Sequence, residues 1–249
     1  MTTNSGKVAI CLSGEMRGCD DYLRLLIERV YTPFIEWGFL VDLFVYTRLD
    51  QWWKPAGDLP SLRMVHVEKN VWQDPSDILS SFNPVDRGWF EGCPSNRRAF
   101  LYQSYLQYFR SLQEVAKLKR RAEEQDGERY KWVVRARPDA YLEQPLDLNC
   151  LKPHHIHFPE NDRWPPPDRV SNTLSDKFAI GPSEAMDKYF DRRSLLKEYC
   201  ASYALHAEAM VAWQMKRMAL QWYIMPGLRV SRNEVNPYEH CFRPDRESP

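Results

Sequence analysis

No Cys-x-x-Cys pair occurs in this chain, and its six cysteines, Cys11, Cys19, Cys93, Cys150, Cys200 and Cys241, follow no paired spacing. That argues against a structural zinc site and a disulfide scaffold, and predicts reduced thiols in a cytoplasmic setting. Neither charge is in excess: Lys plus Arg number 34 and Asp plus Glu number 34. A balanced chain sets up no global basic field for nucleic acid or an anionic membrane, so any phosphate binding has to be local. Met1–Gly6 lacks the apolar core of a signal peptide, and no run is long enough to span a bilayer, so a soluble protein without an integral membrane segment is expected. Walker and protein-kinase signatures are missing as well, which weighs against a phosphotransferase.

What is present reads as α/β. At 249 residues the chain suits a single domain over 1–249, with a mostly parallel central sheet flanked by helices. Val8 to Leu12 is a continuous apolar run, the pattern of a strand buried on both faces, and Ser13-Gly14 ends it. Tyr22, Leu23, Leu26, Ile27 and Val30 then recur at helical spacing, and Val41 to Thr47 reads as a second strand, completing a βαβ unit. Ser13, Gly14 and Arg17 lie in the loop of that unit, where glycine lets backbone amides approach a ligand and Arg17 could add charge, although the stretch is neither G-x-G-x-x-G nor a P-loop. Leu62 to Val67 predicts a third strand.

A long helix is predicted from about Asn96 to Asp126-Gly127, with Leu101, Tyr105, Tyr108, Leu112 and Val115 on its apolar stripe and Lys117 to Glu124 as a solvated tail. The chain contains 13% aromatic residues and 9 Trp, which suit platforms for sugar rings or bases as well as core and lid packing.

The stretch around which the chain is organised is Lys131 to Leu142. Trp132, Val133 and Val134 are strand-like, and Pro138 ends the strand near Arg137. With an extended backbone, Arg135, Arg137 and Asp139 would share a face at the strand's carboxyl end, where open α/β sheets bind ligands. Two guanidiniums suit a diphosphate and one carboxylate suits a divalent ion; an ion-paired strand end accounts for the same residues.

Lys152 to Asp168 holds five prolines and three histidines and reads as a long acceptor-side loop, with His154, His155 and His157 solvated rather than metal-bound. Asp176 leads into a short strand at Phe178-Ala179-Ile180, and Ser183 is placed to cap the next helix. The last helix is predicted over Ser202 to Leu220, with Glu208 on its buried stripe as either a site carboxylate or an edge-of-face acid. Tyr223 to Met225 and Arg229 to Ser231 read as late strands around a Pro226-Gly227 turn.

Taken together, Val8 to Gly18, Val41 to Val45, Val134-Arg135-Ala136-Arg137-Pro138-Asp139 and Ser175 to Gly181 resemble the small GT-A fold glycosyltransferases of large DNA viruses, bacteria and algae. The resemblance implies a GT-A-like, Rossmann-like domain that transfers sugar from a nucleoside-diphosphate sugar to a glycan or glycoconjugate acceptor. It implies Mn2+ or Mg2+ held by an acidic motif at the strand end, here Asp139, with Ser13, Gly14, Arg17, Arg135 and Arg137 toward the donor. Asp176 and Glu208 are the candidate bases for the attacking hydroxyl. The family motif is D-x-D, whereas Arg137-Pro138-Asp139 leaves one acid at that place; His240 is a possible distant ligand. The alternatives are a GT-A-like binding or scaffold protein without chemistry, and an unrelated α/β phosphotransferase.

Overall fold

The strand β1, Lys7–Ser13, has every residue after Lys7 buried, because it lies inside a sheet covered on both faces. The computed structural model describes residues 6–14, 19–48, 59–68, 95–160, 173–203 and 205–232. The helix α1, Cys19–Leu26, runs through a π-helical turn at Ile27–Tyr31 into α2, Thr32–Glu36, and the chain returns as β2, Leu40–Arg48, parallel to β1. Next comes β3, Leu62–Glu68, and then the long helix α3, Ser95–Asp126, crosses back over the sheet to β4, Trp132–Ala136, on the other side of β1.

The remaining elements are β5, Ala140–Leu142; β6, Ile156–Pro159; β7, Phe178–Gly181; α4, Ser183–Phe190; a 3-10 turn at Asp191–Leu195; α5, Leu196–Cys200; α6, Ala207–Arg217; β8, Trp222–Met225; and β9, Val230–Arg232. The main sheet has seven strands in the order β3-β2-β1-β4-β7-β6-β8, and β5 and β9 form a separate pair. It is mostly parallel, since only β7 runs against its neighbours β4 and β6.

Strand alternation divides the core between the two faces. Ala9, Cys11, Phe44, Val133 and Ala179 pack with Leu106, Phe109, Leu112 and Val115 of α3 and with side chains of α4 and α6. Val8, Ile10, Leu12, Val134 and Ile180 pack with Leu23, Leu26, Val30 and Phe34, and with Ala140, Leu142 and Val230 of the small sheet. Tyr22 stacks on Tyr141, and Arg29 donates to the Leu142 carbonyl at 2.6 Å, which fastens the small sheet to the α1 layer.

Several boundaries differ from the sequence reading. The stretch after Lys152 is not all loop, because Ile156 and Phe158 are core side chains of β6. His157 is buried rather than solvated: its Nε2 accepts from the Lys152 amide at 2.8 Å and its Nδ1 lies 3.1 Å from the Ile180 carbonyl. These contacts fix a neutral Nδ1–H tautomer, and burial pushes its pKa down to about 4. The final helix begins at Ala207, where His206 caps it by accepting the Ala209 amide on Nδ1.

The expected solvated tail of α3 is also partly interior. Lys119 is fully buried, within 2.9 Å of Glu123 and 2.8 Å of Asp187, and it donates to Ser183 Oγ at 2.6 Å. Ser183 is therefore not the cap of α4; its hydroxyl donates to Glu123 and links α3 to the start of α4.

Candidate functional site

The crossover from β3 through α3 to β4 makes the gap between β1 and β4 the point where the sheet's winding changes direction. Ligands of open α/β sheets bind outside the carboxyl ends of the strands at such a point. Here those ends carry Ser13-Gly14 and Arg137-Pro138-Asp139, in a register that pairs Cys11 with Arg135 and Leu12 with Ala136. Gly14 has φ +131°, which a side chain would strain, and a Cβ there would stand 3.6 Å from Pro138 Cδ. The two strand ends are thus neighbours in space.

The backbone does not stay extended through Asp139, as the sequence reading supposed. It turns, with the Ala140 amide donating to the Arg137 carbonyl at 3.2 Å and Pro138 at the second turn position. The turn still brings Arg137 and Asp139 together: Nε donates to Oδ1 at 2.8 Å and Nη2 to Oδ2 at 2.9 Å, a two-point fork. On its other side, Nη1 of Arg137 lies 3.8 Å from Oδ2 of Asp176, an ion-pair distance too long for a hydrogen bond. Asp176 arrives because β7 runs antiparallel to β4, which pairs Phe178 with Ala136 and lets the Arg137 amide donate to the Lys177 carbonyl.

Behind Arg137, the partly exposed member of this group, is a fully buried layer. Arg135 is fully buried; its Nη1 donates to the Asp176 carbonyl and its guanidinium carbon lies 5.5 Å from the centre of the Tyr108 ring. Sequence spacing suggested that it would stand beside Arg137 facing a diphosphate, but Tyr108 on α3 covers it. The sequence reading missed Arg192, also fully buried, in the 3-10 turn after α4. Its Nη1 donates to the Tyr108 hydroxyl at 2.9 Å, its Nε donates to Gln214 at 3.0 Å, and its charge lies 4.2 Å from the Tyr189 ring centre. Among the described residues, Arg135 Nε and Nη2, Arg192 Nη2 and Ser13 Oγ are buried without a hydrogen-bond partner.

Burial by itself would raise the Asp176 pKa, but the charges of Arg137, Arg135, Lys177 and Arg192 outweigh it and hold the carboxyl below the usual range. Burial likewise opposes charge on Arg137, yet Asp139 and Asp176 overcome it and strengthen its hold on the proton. The cluster sets three guanidiniums, Arg135, Arg137 and Arg192, against two carboxylates, Asp139 and Asp176.

Residues 93–226, more than half of the chain, match the model of a family described as Domain of unknown function (DUF7796). The chain belongs to this family. No curated protein matches it. The DUF7796 span contains Arg135, Arg137, Asp139, Asp176, Arg192 and Glu208, whereas Ser13 and Gly14 precede it. The charged part of the cluster therefore belongs to the family region, and β1 adds the glycine end from outside it.

The other expected site residues are distributed as follows. Glu208 is half-buried in the first turn of α6, with Oε2 3.4 Å from His206 Nδ1. That nitrogen accepts the Ala209 amide, and burial lowers the His206 pKa against the opposing pull of Asp176, so the imidazole is neutral and the contact is not an ion pair. Asp176 is the acid joined to Arg137; Glu208 stands beside His206. Arg17 and His240 lie outside the described residues.

The Mn2+ or Mg2+ implied by the resemblance meets a mismatch at Asp139, because both of its oxygens receive Arg137 N–H groups. A cation bound there would stand beside the guanidinium, and unit charges at 4 Å repel by about 4 kcal/mol near a protein surface, about twice that for a divalent ion. The arrangement does not fit a metal ligand. Among the described residues no group of three or more His, Cys, Asp or Glu side chains could hold a metal ion.

Proposed function

We propose that this chain is a glycosyltransferase that moves a sugar from a nucleoside-diphosphate donor to a hydroxyl of a glycan or glycoconjugate, through one GT-A-like unit built on the seven-stranded sheet. The observation that carries the reading is the surplus of guanidinium charge at the switch point between β1 and β4, with Arg137 as its partly exposed member. The fully buried Arg135 and Arg192 add positive field behind it, which favours an anionic partner. The open turn at Gly14 supports backbone approach of the donor, and the half-buried Arg137 offers it a reachable cation.

In the transfer, the bond from the anomeric carbon to the diphosphate oxygen breaks and its electron pair stays on that oxygen, where the positive field of the cluster stabilises it. The acceptor oxygen forms the new bond to the anomeric carbon, and its proton passes to a carboxylate. Glu208 suits that role better than Asp176, which is held ionised by arginines and is a weak base for that reason. The free thiols of Cys11, Cys150 and Cys200 suit a reducing, cytoplasmic setting, and no helix among the described residues is long and apolar enough to cross a membrane.

The test is a thermal-shift panel of nucleoside diphosphates and nucleotide sugars, followed by assay of nucleoside diphosphate release from those that bind. A rise in Tm with one nucleotide series, and release accelerated by an acceptor, are expected. The absence of any shift across the panel would refute the reading. Binding without turnover would favour a second reading, a GT-A-like binding protein, for which the engagement of both Asp139 oxygens by Arg137 speaks.

A further inference from the structure

We propose that Arg137 is a built-in replacement for the divalent cation, so that the site takes a diphosphate without metal. This rests on the donor reading above and narrows the ligand to a metal-free diphosphate. Three observations carry it. Arg137 lies between two carboxylates, forked onto Asp139 at 2.8 and 2.9 Å and 3.8 Å from Asp176, where a bridging cation would otherwise balance two acids. Its Nη1 makes no hydrogen bond to either acid, so the two N–H groups of that nitrogen are the part of the fork left for phosphate oxygens. Its side chain is 23% exposed, whereas Arg135 and Arg192 are fully buried, so it is the guanidinium of the cluster that a ligand reaches directly.

The charges agree with this assignment. Among the described residues Arg135, Arg137 and Arg192 exceed Asp139 and Asp176 by one positive charge. A diphosphate diester brings two negative charges to this positive site, so its binding needs no divalent ion for attraction. The two acids are then positioning residues: Asp139 fixes the plane of Arg137 through the fork, and Asp176 stands 3.8 Å from Nη1. In the transfer step Arg137 stays protonated, and no proton or electron pair passes to it.

The experiment uses the full chain, with inorganic pyrophosphate, UDP and GDP as separate probes, each in EDTA and in Mn2+, followed by thermal shift and calorimetric titration. Wild-type affinity for the diphosphate that binds is expected to be the same in EDTA and Mn2+. Arg137→Ala should weaken that affinity in EDTA by roughly tenfold or more, the weight of a charged hydrogen bond. The same variant removes the guanidinium between Asp139 and Asp176, so Mn2+ alone should raise its Tm while leaving that of the wild type unchanged. If Arg137→Ala does not fold, Arg137→Lys keeps the charge without the fork and should weaken binding in EDTA by a smaller factor. Wild-type binding that appears only with Mn2+ would overturn the replacement and leave the donor reading standing. No diphosphate binding in either condition would overturn both.

Discussion

Two clusters of buried charge lie at opposite ends of β4, and they are built differently. At the amino end, Lys119 and Arg129 meet Glu123 and Asp187, with Ser183 between them and the Tyr130 amide donating to Glu123 at 3.1 Å. Arg120 adds a third cation, with Nη1 3.8 Å from Asp187, and the contacts tie α3, α4 and the start of β4 together. At the carboxyl end, Arg135, Arg137 and Arg192 outnumber Asp139 and Asp176, and three guanidinium nitrogens have no acceptor among the described residues. Both clusters are buried among helices on the same face of one sheet, so burial alone does not separate scaffold from site. Pairing does: at the amino end each of the three cations meets a carboxylate within 4 Å, whereas Arg135 and Arg192 meet none among the described residues, and such a network keeps capacity for a ligand.

The largest effect is expected at the amino end. Lys119→Met removes a fully buried charge and leaves Glu123 and Asp187 with only the partly exposed Arg129 and Arg120 opposite them. Stranding buried carboxylates in this way costs about 3–5 kcal/mol. Urea unfolding should show that loss, with diphosphate affinity unchanged in the protein that remains folded. A loss below about 1 kcal/mol, the range of exposed pairs, would show that the network is not the clamp described here.

Much of this frame was legible in the sequence. The strands β1 and β4, the extent of α3 and the late strands β8 and β9 followed from continuous apolar runs, helical spacing and the Pro226-Gly227 turn. The interior charges were harder to see. Lys119 continues the line of Leu112 and Val115 at helical steps, so its face was available from spacing, but a charged run reads as solvated until its partners on α4 are known. Arg192 lies in Asp191-Arg192-Arg193, where nothing local shows that a 3-10 turn directs the middle residue inward. β6 was hidden by flanking prolines and histidines, because a short buried strand needs only a few apolar side chains. The Arg137–Asp139 pair was found through the wrong backbone: a turn, rather than an extended strand, brings the side chains together.

Acid titration separates Asp176 from the histidines. A His157 pKa pushed down to about 4 by burial means that its neutral form stabilises the fold fully above the ordinary value of 6.5, and that this is lost as pH falls through that window toward 4. The full loss is roughly 3 kcal/mol, with about 2 kcal/mol of it gone by about pH 5. His206, lowered by burial, acts in the same direction. Asp176, with its pKa depressed below 3.8, contributes stability above that value and loses it only as the pH falls through its still lower folded pKa. Unfolding free energies between about pH 7 and pH 5 should therefore decline in the wild type and flatten in His157→Gln. An unchanged slope in that variant would assign the decline to other groups.

A smaller effect is expected where β1 meets the site. Gly14→Ala meets no steric barrier closer than Pro138 Cδ at 3.6 Å, so its cost comes from the backbone, φ +131°, and amounts to about 1–3 kcal/mol. Diphosphate affinity should fall as well, because relief of the strain moves the strand end away from Pro138. A stability loss with unaltered affinity would confine the ligand to the β4 side.

The smallest stability change, and the sharpest separation of the two clusters, is expected for Arg135→Met. The substitution keeps a long side chain in a fully buried position and removes a charge whose Nε and Nη2 have no acceptor among the described residues. What it loses is one hydrogen bond to the Asp176 carbonyl, the contact with the Tyr108 ring and an attraction for the Asp176 carboxylate that Arg137 shares; what it relieves is an incompletely paired buried ion and its repulsion from Arg137 and Arg192. Removing one member of a buried pair is costly when it strands the other, but Arg137 stays beside Asp176, so a net change within about 1 kcal/mol of zero is expected. Diphosphate affinity should nevertheless fall in EDTA, because the positive field behind Arg137 is weaker and the Asp176 carbonyl is no longer held. If Arg135→Met instead destabilises the chain as much as Lys119→Met and leaves affinity intact, the carboxyl-end cluster is scaffold like the other, and its surplus of charge has a structural cause.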